Sequence, residues 1–365
     1  MTLREKEILE MIKKNPLISQ QEIAERLEIA RSSVAVHITN LMKKGYITGK
    51  GYIVSEKEYI AVVGGANMDI QGFTKASLIP KDSNPGKVKL SLGGVGRNIA
   101  ENLTKLGIDA KLITALGDDL YGEKILEESR MSGIDMDHCI QFKGTSTSTY
   151  LSILNDTGDM EVAVSDMDIF DKLSFDLIRD KLHVVQNAKA IVLDTNLPEE
   201  ILTYLVQHVK EKKLFLDPVS TTKAKRVKNI IGSFHTIKPN RLEAEILSDM
   251  KITNASDLNK AAAFFLSQGV EKVFISLGKE GIFYADAAHS GCLPEIPIKV
   301  VNATGAGDAF MAGLIFGDFN QYNIKEQAQF AMAAAVMALS HENTINPMLS
   351  LENIENVIKE MKKYV

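Results

Sequence analysis

Residues Val301 to Phe310 read VNATGAGDAF, and the reading of this decapeptide decides the fold. A Gly-Ala-Gly run stands directly before a carboxylate and is followed by the helix-forming run AFMAGLIF. The preceding IPIKVVN is a strand candidate, so the expected unit is a strand, a glycine turn and a helix that opens at Asp308. N–H groups at the start of a helix lack partners within it and carry partial positive charge, so an anion is held there. The small residues Gly305, Ala306 and Gly307 let a phosphate approach that backbone. Asp308 would repel such an anion unless it accepts a proton from an attacking hydroxyl, which is the arrangement phosphoryl transfer needs. A capping Asp after a glycine turn is the other reading of the same residues.

Working outward, the chain from residue 58 alternates short β-rich runs with helical stretches. EYIAVVGG, AKLITALG, AIVLD, KLFLD, FHTIKP, KVFISLG and GIFYAD are the strands. Stretches 95–106, 119–132, 198–211, 241–249 and 255–268 are the helices. This alternation argues an α/β sheet covered on both faces. Residues 68–92 and 137–165 interrupt it with segments too short for crossover helices, and these are expected to form a small β lid over the sheet edge. SLGGVGRNIAENLTKLG, Ser91 to Gly107, sets Gly93, Gly94 and Gly96 before a helix whose Ile99, Leu103 and Leu106 share a face. As a dinucleotide signature it is weak, since no acidic partner strand follows. The glycines suit a sugar lying against backbone, with Asn98 bonding a hydroxyl. Asn67 and Asp69 follow the first strand, at the carboxyl edge where open α/β sheets bind ligands. Turn chemistry is their alternative reading.

Residues 1–57 read differently. EKEILEMIKK, the Ser19-capped SQQEIAERL and RSSVAVHITNLMKKG are three short helices, and YITGKGYIV is a hairpin around Gly-Lys-Gly. The pattern resembles a winged helix-turn-helix with helix 30–44 in the recognition position, presenting Arg31, Ser32, Ser33, His37 and Asn40 to DNA. Ten Lys/Arg against seven Asp/Glu give this segment +3, whereas the whole chain carries −5, so the remainder carries −8. A unit of this size binds DNA weakly alone, so a dimer is required. A dimer contact without DNA is the competing role.

At 365 residues, with 45% hydrophobic and 24% charged content, the chain suits two globular units, 1–57 and 58–365. Its charge excludes a protein built mainly to coat nucleic acid. Cys139 and Cys292 stand far apart without metal-ligand spacing, no apolar run approaches a membrane span, and MTLREKEILE has no apolar signal core. A cytoplasmic protein is expected.

Together, GGVGRNIAENLTKLG and VNATGAGDAF resemble the two signatures of the ribokinase-like, PfkB-type carbohydrate kinases over about residues 60–345. The resemblance implies a ribokinase-like central sheet with helices on both faces and a β lid. Asp308 then matches the base that takes a proton from a primary hydroxyl, and Gly305, Ala306 and Gly307 match the anion hole. KPNRLEAE matches the N-x-x-E element, so Asn240 and Glu243 would organise Mg2+ and its waters. SLGKEG places Ser276, Gly278 and Gly281 near ATP, and Thr304 is a further nucleotide-binding candidate. Asn67, Asp69, Gly93, Gly94 and Asn98 match sugar contacts, and Asp194 stands where another sugar-facing acid often occurs. Many members carry Asp six residues before the base, where it helps bind a monovalent cation. Here the residue is Asn302, whose carbonyl can still ligate, so K+ activation is in doubt.

Arg97 beside Asn98 departs from the GGKGANQA form of ribokinases. TSTSTYLSILNDTGDM, VSDMDIF and the DSNPG at 82–86 look most like pseudouridine kinases. Ser148 and Asp166 are candidates to line a base pocket, or are plain lid polarity. The expected function is ATP-dependent phosphorylation of the 5′-hydroxyl of pseudouridine by a homodimer. A kinase for another nucleoside or sugar (inosine, ribose) and a nucleoside-sensing transcriptional regulator are the alternatives.

Overall fold

The computed structural model describes residues 1–16, 18–47, 58–155, 160–209 and 211–361. They divide into two compact units, Met1–Glu58 and Tyr59–Val365. In the first, helix α1 spans Leu3–Lys14, α2 Gln20–Arg26 and α3 Arg31–Lys43. Thr2 and Glu5 close the start of α1 reciprocally, with the Thr2 amide donating to Glu5 Oε2 at 2.7 Å and the Glu5 amide donating to Thr2 Oγ1 at 3.2 Å. Ser19 caps α2 through the Glu22 amide. Ile8, Ile12, Ile23, Val34, Ile38, Leu41 and Ile47 form the unit's own core. Most of the hairpin expected over YITGKGYIV, from residue 48 onward, lies outside the described residues.

The second unit is built on an eight-stranded sheet. Its strands are β1 (Tyr59–Val63), β4 (Asp109–Ile113), β9 (Ala190–Asp194), β10 (Lys213–Asp217), β11 (Thr236–Ile237), β12 (Lys272–Ser276), β13 (Ile282–Ala285) and β14 (Ser290–Leu293). The order is β14-β13-β12-β11-β10-β9-β1-β4, parallel except at β12–β13 and β13–β14. YIAVV and AIVLD are buried at every position, as parallel strands covered on both faces must be. Successive residues of β1 serve opposite faces: Ile60 and Val62 join one core, and Tyr59, Ala61 and Val63 the other. The longer helices are α4 (Val95–Lys105), α5 (Leu120–Met131), α6 (Glu199–His208), α7 (Arg241–Ser248), α8 (Ala255–Gln268), α9 (Ala306–Phe319), α10 (Ile324–Leu339) and α11 (Leu351–Met361). The face of Ile60 packs α4, α9, α10 and α11, and the face of Ala61 packs α6, α7 and α8. This is the ribokinase-like α/β architecture.

A separate sheet of order β3-β2-β7-β8 is made by β2 (Asn67–Thr74), β3 (Gly86–Gly93), β7 (Thr149–Leu154) and β8 (Met160–Asp166). Residues 140–142, assigned with the lid from sequence, instead form β6 (Ile140–Phe142) and pair with β5 (Ala115–Gly117) in a two-stranded sheet. The expected strand IPIKVVN is not one. Val300 and Val301 are more than half exposed, and the Val301 amide bonds the carbonyl of Leu339 at the end of α10 rather than a sheet partner. β-branched residues there reflect an extended path, not a ladder.

Candidate active site

The parallel strands deliver charged side chains to their carboxyl ends: Asp194 from β9, Asp217 from β10, and Lys238 just beyond β11. Asp194 and Asp217 stand opposite each other in register. Lys238 offsets that repulsion, its Nζ lying 2.9 Å from Asp217 Oδ2. Burial alone would pull the ammonium's pKa down, but Asp217, Glu243 and Asp308 outweigh it and hold it raised. Lys238 Nζ also donates to the Gly307 carbonyl at 3.3 Å, which ties the lysine to the glycine turn.

That turn enters α9 through Gly305, whose φ of +86° only glycine adopts without strain; a Cβ there would meet the Thr344 carbonyl oxygen at 2.2 Å. No side chain caps this helix start. The first intrahelical bond runs from the Ala309 amide to the Gly305 carbonyl, so the amides of Ala306, Gly307 and Asp308 have no acceptor within the helix. Asp308 sits in the first turn, 8% exposed, and its Oδ2 accepts from Asn98 Nδ2 at 2.8 Å. Burial pushes its pKa up to about 8, helped by the charges of Asp217 and Asp194 and opposed by Asn98 and Lys238. An uncapped helix start beside a carboxyl group of that pKa can receive an anion and exchange a proton near neutrality.

Asn98 belongs to α4, which begins at Gly94 with φ +97°. A Cβ on Gly94 would lie 2.4 Å from Ala66 Cα. The turn after β1 is thus pressed against the α4 start, and the Arg97 amide donates to the Gly65 carbonyl at 3.0 Å. Beyond that turn Asn67, paired with Gly93, donates through Nδ2 to Asp69 Oδ1 at 2.6 Å. Burial lifts Asp69 to about 6 against the opposing pull of Asn67 and Arg97. The structure therefore joins Asn67, Asp69, Gly93, Gly94, Asn98, Gly305, Ala306, Gly307 and Asp308 through α4 and α9.

Other residues are placed differently. Asp194 faces inward: it is 1% exposed, and its two oxygens accept the amides of Gly65 at 2.7 Å and Asn196 at 2.8 Å. Burial raises it to about 6. Asp194 thus holds the β1 turn, at the position where the resemblance implies a sugar-facing acid. Asn240 and Glu243 form a reciprocal capping box on α7, each side chain accepting the other's amide at 2.9 Å. Asn240 also bridges Ser276, which brings the β12 end beside them, while Gly278 and Gly281 shape the β12–β13 turn. Asn302 accepts the Thr304 amide at 2.9 Å and donates to the Glu342 carbonyl at 3.1 Å. Ser148 is buried next to β7, its Oγ without a hydrogen-bond partner, whereas Asp166 is exposed on β8. In the first unit Arg31 and Ser32 are exposed, but His37 is half-buried with Nδ1 enclosed, and Val36 at 59% exposed stands outward instead. Lys238 and Asp217, paired beside the glycine turn, are positions that the sequence reading missed. The Lys before Pro239-Asn240 was the available signal.

Among known proteins, residues 57–351 match the pfkB family carbohydrate kinases and residues 1–48 a winged helix-turn-helix DNA-binding family. The chain is 40% identical to YeiI, an uncharacterized sugar kinase of Escherichia coli K12, over 98% of this chain and 99% of that one. It is 41% identical to a pseudouridine kinase of the same organism, over 83% of this chain and 97% of that one. A solved structure from Clostridium perfringens superposes with a TM-score of 0.74 at 43% identity, covering 85% of this chain and 97% of that one. The chain belongs to the pfkB family of carbohydrate kinases, phosphotransferases acting on the alcohol group of a sugar or nucleoside, and carries a winged helix-turn-helix at its start.

Proposed function

We propose that the enzyme transfers the γ-phosphoryl group of ATP to the 5′-hydroxyl of pseudouridine. The observation that carries the phosphoryl chemistry is the uncapped α9 start with Asp308 in its first turn. Asp308 takes the proton of the attacking hydroxyl, and the amides of Ala306 and Gly307 steady charge developing on the transferred group. Asn67, Asp69 and Asn98 hold ribose hydroxyls, and Gly93 and Gly94 let the ring approach the backbone. Ser276, Gly278, Gly281 and Thr304 flank the nucleotide. Pseudouridine is favoured by the 41% identity to a pseudouridine kinase over nearly that protein's full length. The unpaired Ser148 hydroxyl, with Asp166 nearby on β8, supplies polar atoms for a base edge.

Among the described residues no group of three or more His, Cys, Asp or Glu side chains is arranged to hold a metal. A donor set of one buried carboxylate, Glu243, with Asn240 acting through water, fits Mg2+ carried on the nucleotide's phosphates rather than a protein cage. That ion, when bound, would neutralise phosphate charge. The Asn302 side chain is already bonded to the Thr304 amide and the Glu342 carbonyl, so turnover that does not depend on K+ is expected.

We also propose a homodimer formed through the outer face of the β3-β2-β7-β8 sheet. Cross-strand register puts Val88, Leu90, Ile70, Leu151, Ile153, Val162 and Val164 on one face, while Asp69, Gln71 and Ser152 line the other. Val88 is 72% exposed and Val164 58%, an apolar surface that a second copy would cover. Residues 1–57 are proposed to bind duplex DNA through Arg31, Ser32, Ser33 and Asn40 of α3, with His37 at its flank. Among the described residues no helix is long and apolar enough to cross a membrane.

The deciding experiment measures ADP release from ATP-Mg2+ against pseudouridine, uridine, inosine, ribose and fructose. Turnover concentrated on pseudouridine is expected. Turnover on inosine or ribose would keep the mechanism and replace the substrate, and silence on all five would favour a nucleoside-sensing regulator.

A further inference from the structure

Arg97 is an expensive residue to bury, and α4 buries it almost completely: its side chain is 6% exposed. Each of its three nitrogens has a partner. Nη2 pairs with Glu101 one turn along α4. Nε donates to Ser129 Oγ on α5 at 3.3 Å, and Nη1 donates to Asn98 Oδ1 at 3.2 Å. Asn98 in turn donates through Nδ2 to Asp308 Oδ2.

We propose that Arg97 is a positioning residue for Asp308, acting through Asn98. A carboxamide has two nearly isosteric ends, and nothing in its shape decides which one meets Asp308. A guanidinium possesses donors only. It therefore fixes the Asn98 oxygen toward itself and leaves the NH2 group for the carboxylate. Ser129 and Glu101 hold the fork from two other directions, so the orientation of the amide is inherited from α5 and from the next turn of α4. Arg97, the residue that departs from the ribokinase form of this helix start, thereby orders the hydrogen bond that Asp308 makes to α4. The inference rests on Asp308 being the base.

The test uses the full-length protein and ADP release with pseudouridine, or with inosine or ribose if the wild type prefers them. Arg97→Met alone would strand Glu101, so it is combined with Glu101→Gln. The expected result is a kcat lower by about tenfold to a hundredfold, as misorientation of a reacting group costs, with the KM for ATP unchanged. Asn98→Ala should show a comparable loss. Adding the Arg97→Met/Glu101→Gln pair to Asn98→Ala should cost no more than about a further twofold, because coupled residues are non-additive. Should the paired variant not fold, Arg97→Lys serves: one ammonium can hold Glu101 but not Asn98 as well, so kcat falls while the melting temperature holds. A kcat within about threefold of wild type in either folded variant, or losses that multiply with Asn98→Ala, would overturn the proposal. Asp308→Asn separates the two ideas. If it retains turnover, the base assignment fails and takes the positioning role with it. If it is inactive while Arg97 variants are normal, only the positioning role fails.

Discussion

Asp308 is held in a place that favours its protonated form. Its pKa is 3.8 in an ordinary setting and about 8 in the folded chain, chiefly through burial. Two consequences follow at this residue. As the base must be ionised, kcat/KM should climb with pH toward a plateau above about 8, readable from initial rates across pH 6 to 9. The second concerns stability. The folded state retains a proton that the unfolded chain releases, so stability is lost as pH rises from about 4 through about 8. Asp308→Asn escapes that penalty. Its melting temperature should exceed that of the parent by a margin that widens between pH 5 and 8, while kcat falls by roughly 10²–10⁴. A variant as fast as the parent would remove the base assignment. Asp308 was legible because the glycine turn that would receive an anion stands directly before it in the sequence. Lys238 and Asp217 were not, because only the closing of the sheet brings them under the turn.

Among the elements, α9 is set by its entrance. Gly305→Ala must place a methyl group at φ +86° against the Thr344 carbonyl, whereas a Cβ at Gly107, φ +78°, in the turn after α4, meets nothing within 4 Å. Both variants bear the left-handed backbone cost of about 1–3 kcal/mol. Only Gly305→Ala should lose further stability in urea and most of its turnover; equal behaviour of the two would contradict the role of the Thr344 contact. Helices with one apolar face, such as α4, were plain in the sequence. After the polar first turn of α10, the run from Phe330 to Leu339 is apolar at every position and mostly buried, so it shows no helical period to read. IPIKVVN misled for the opposite reason: strand-like residues follow an extended path whose hydrogen bonds go to a helix end.

For the whole molecule, the proposed dimer and DNA interfaces each carry a prediction. Val162→Lys with Val164→Lys places charge in the apolar face of the four-stranded sheet and should convert the dimer to monomers in sedimentation, with each unit still folded. A monomeric parent chain would dispose of that interface. DNA retardation by the full chain should be strongest at low salt and weaken steeply as salt rises, with Arg31→Ala reducing it. No retardation at low salt would leave residues 1–57 without a nucleic-acid role. The Asn98–Asp308 hydrogen bond joins positions 210 residues apart. At synthesis rates of about 5–20 residues per second, Asp308 leaves the ribosome roughly 10 to 40 seconds after the amide that orients it. β1 likewise waits for β9 before it can pair on that side. For that interval the nascent chain carries Asn67, Asp69 and Asn98 without Asp308, so a chain released before residue 308 lacks the carboxylate that the proposed chemistry requires.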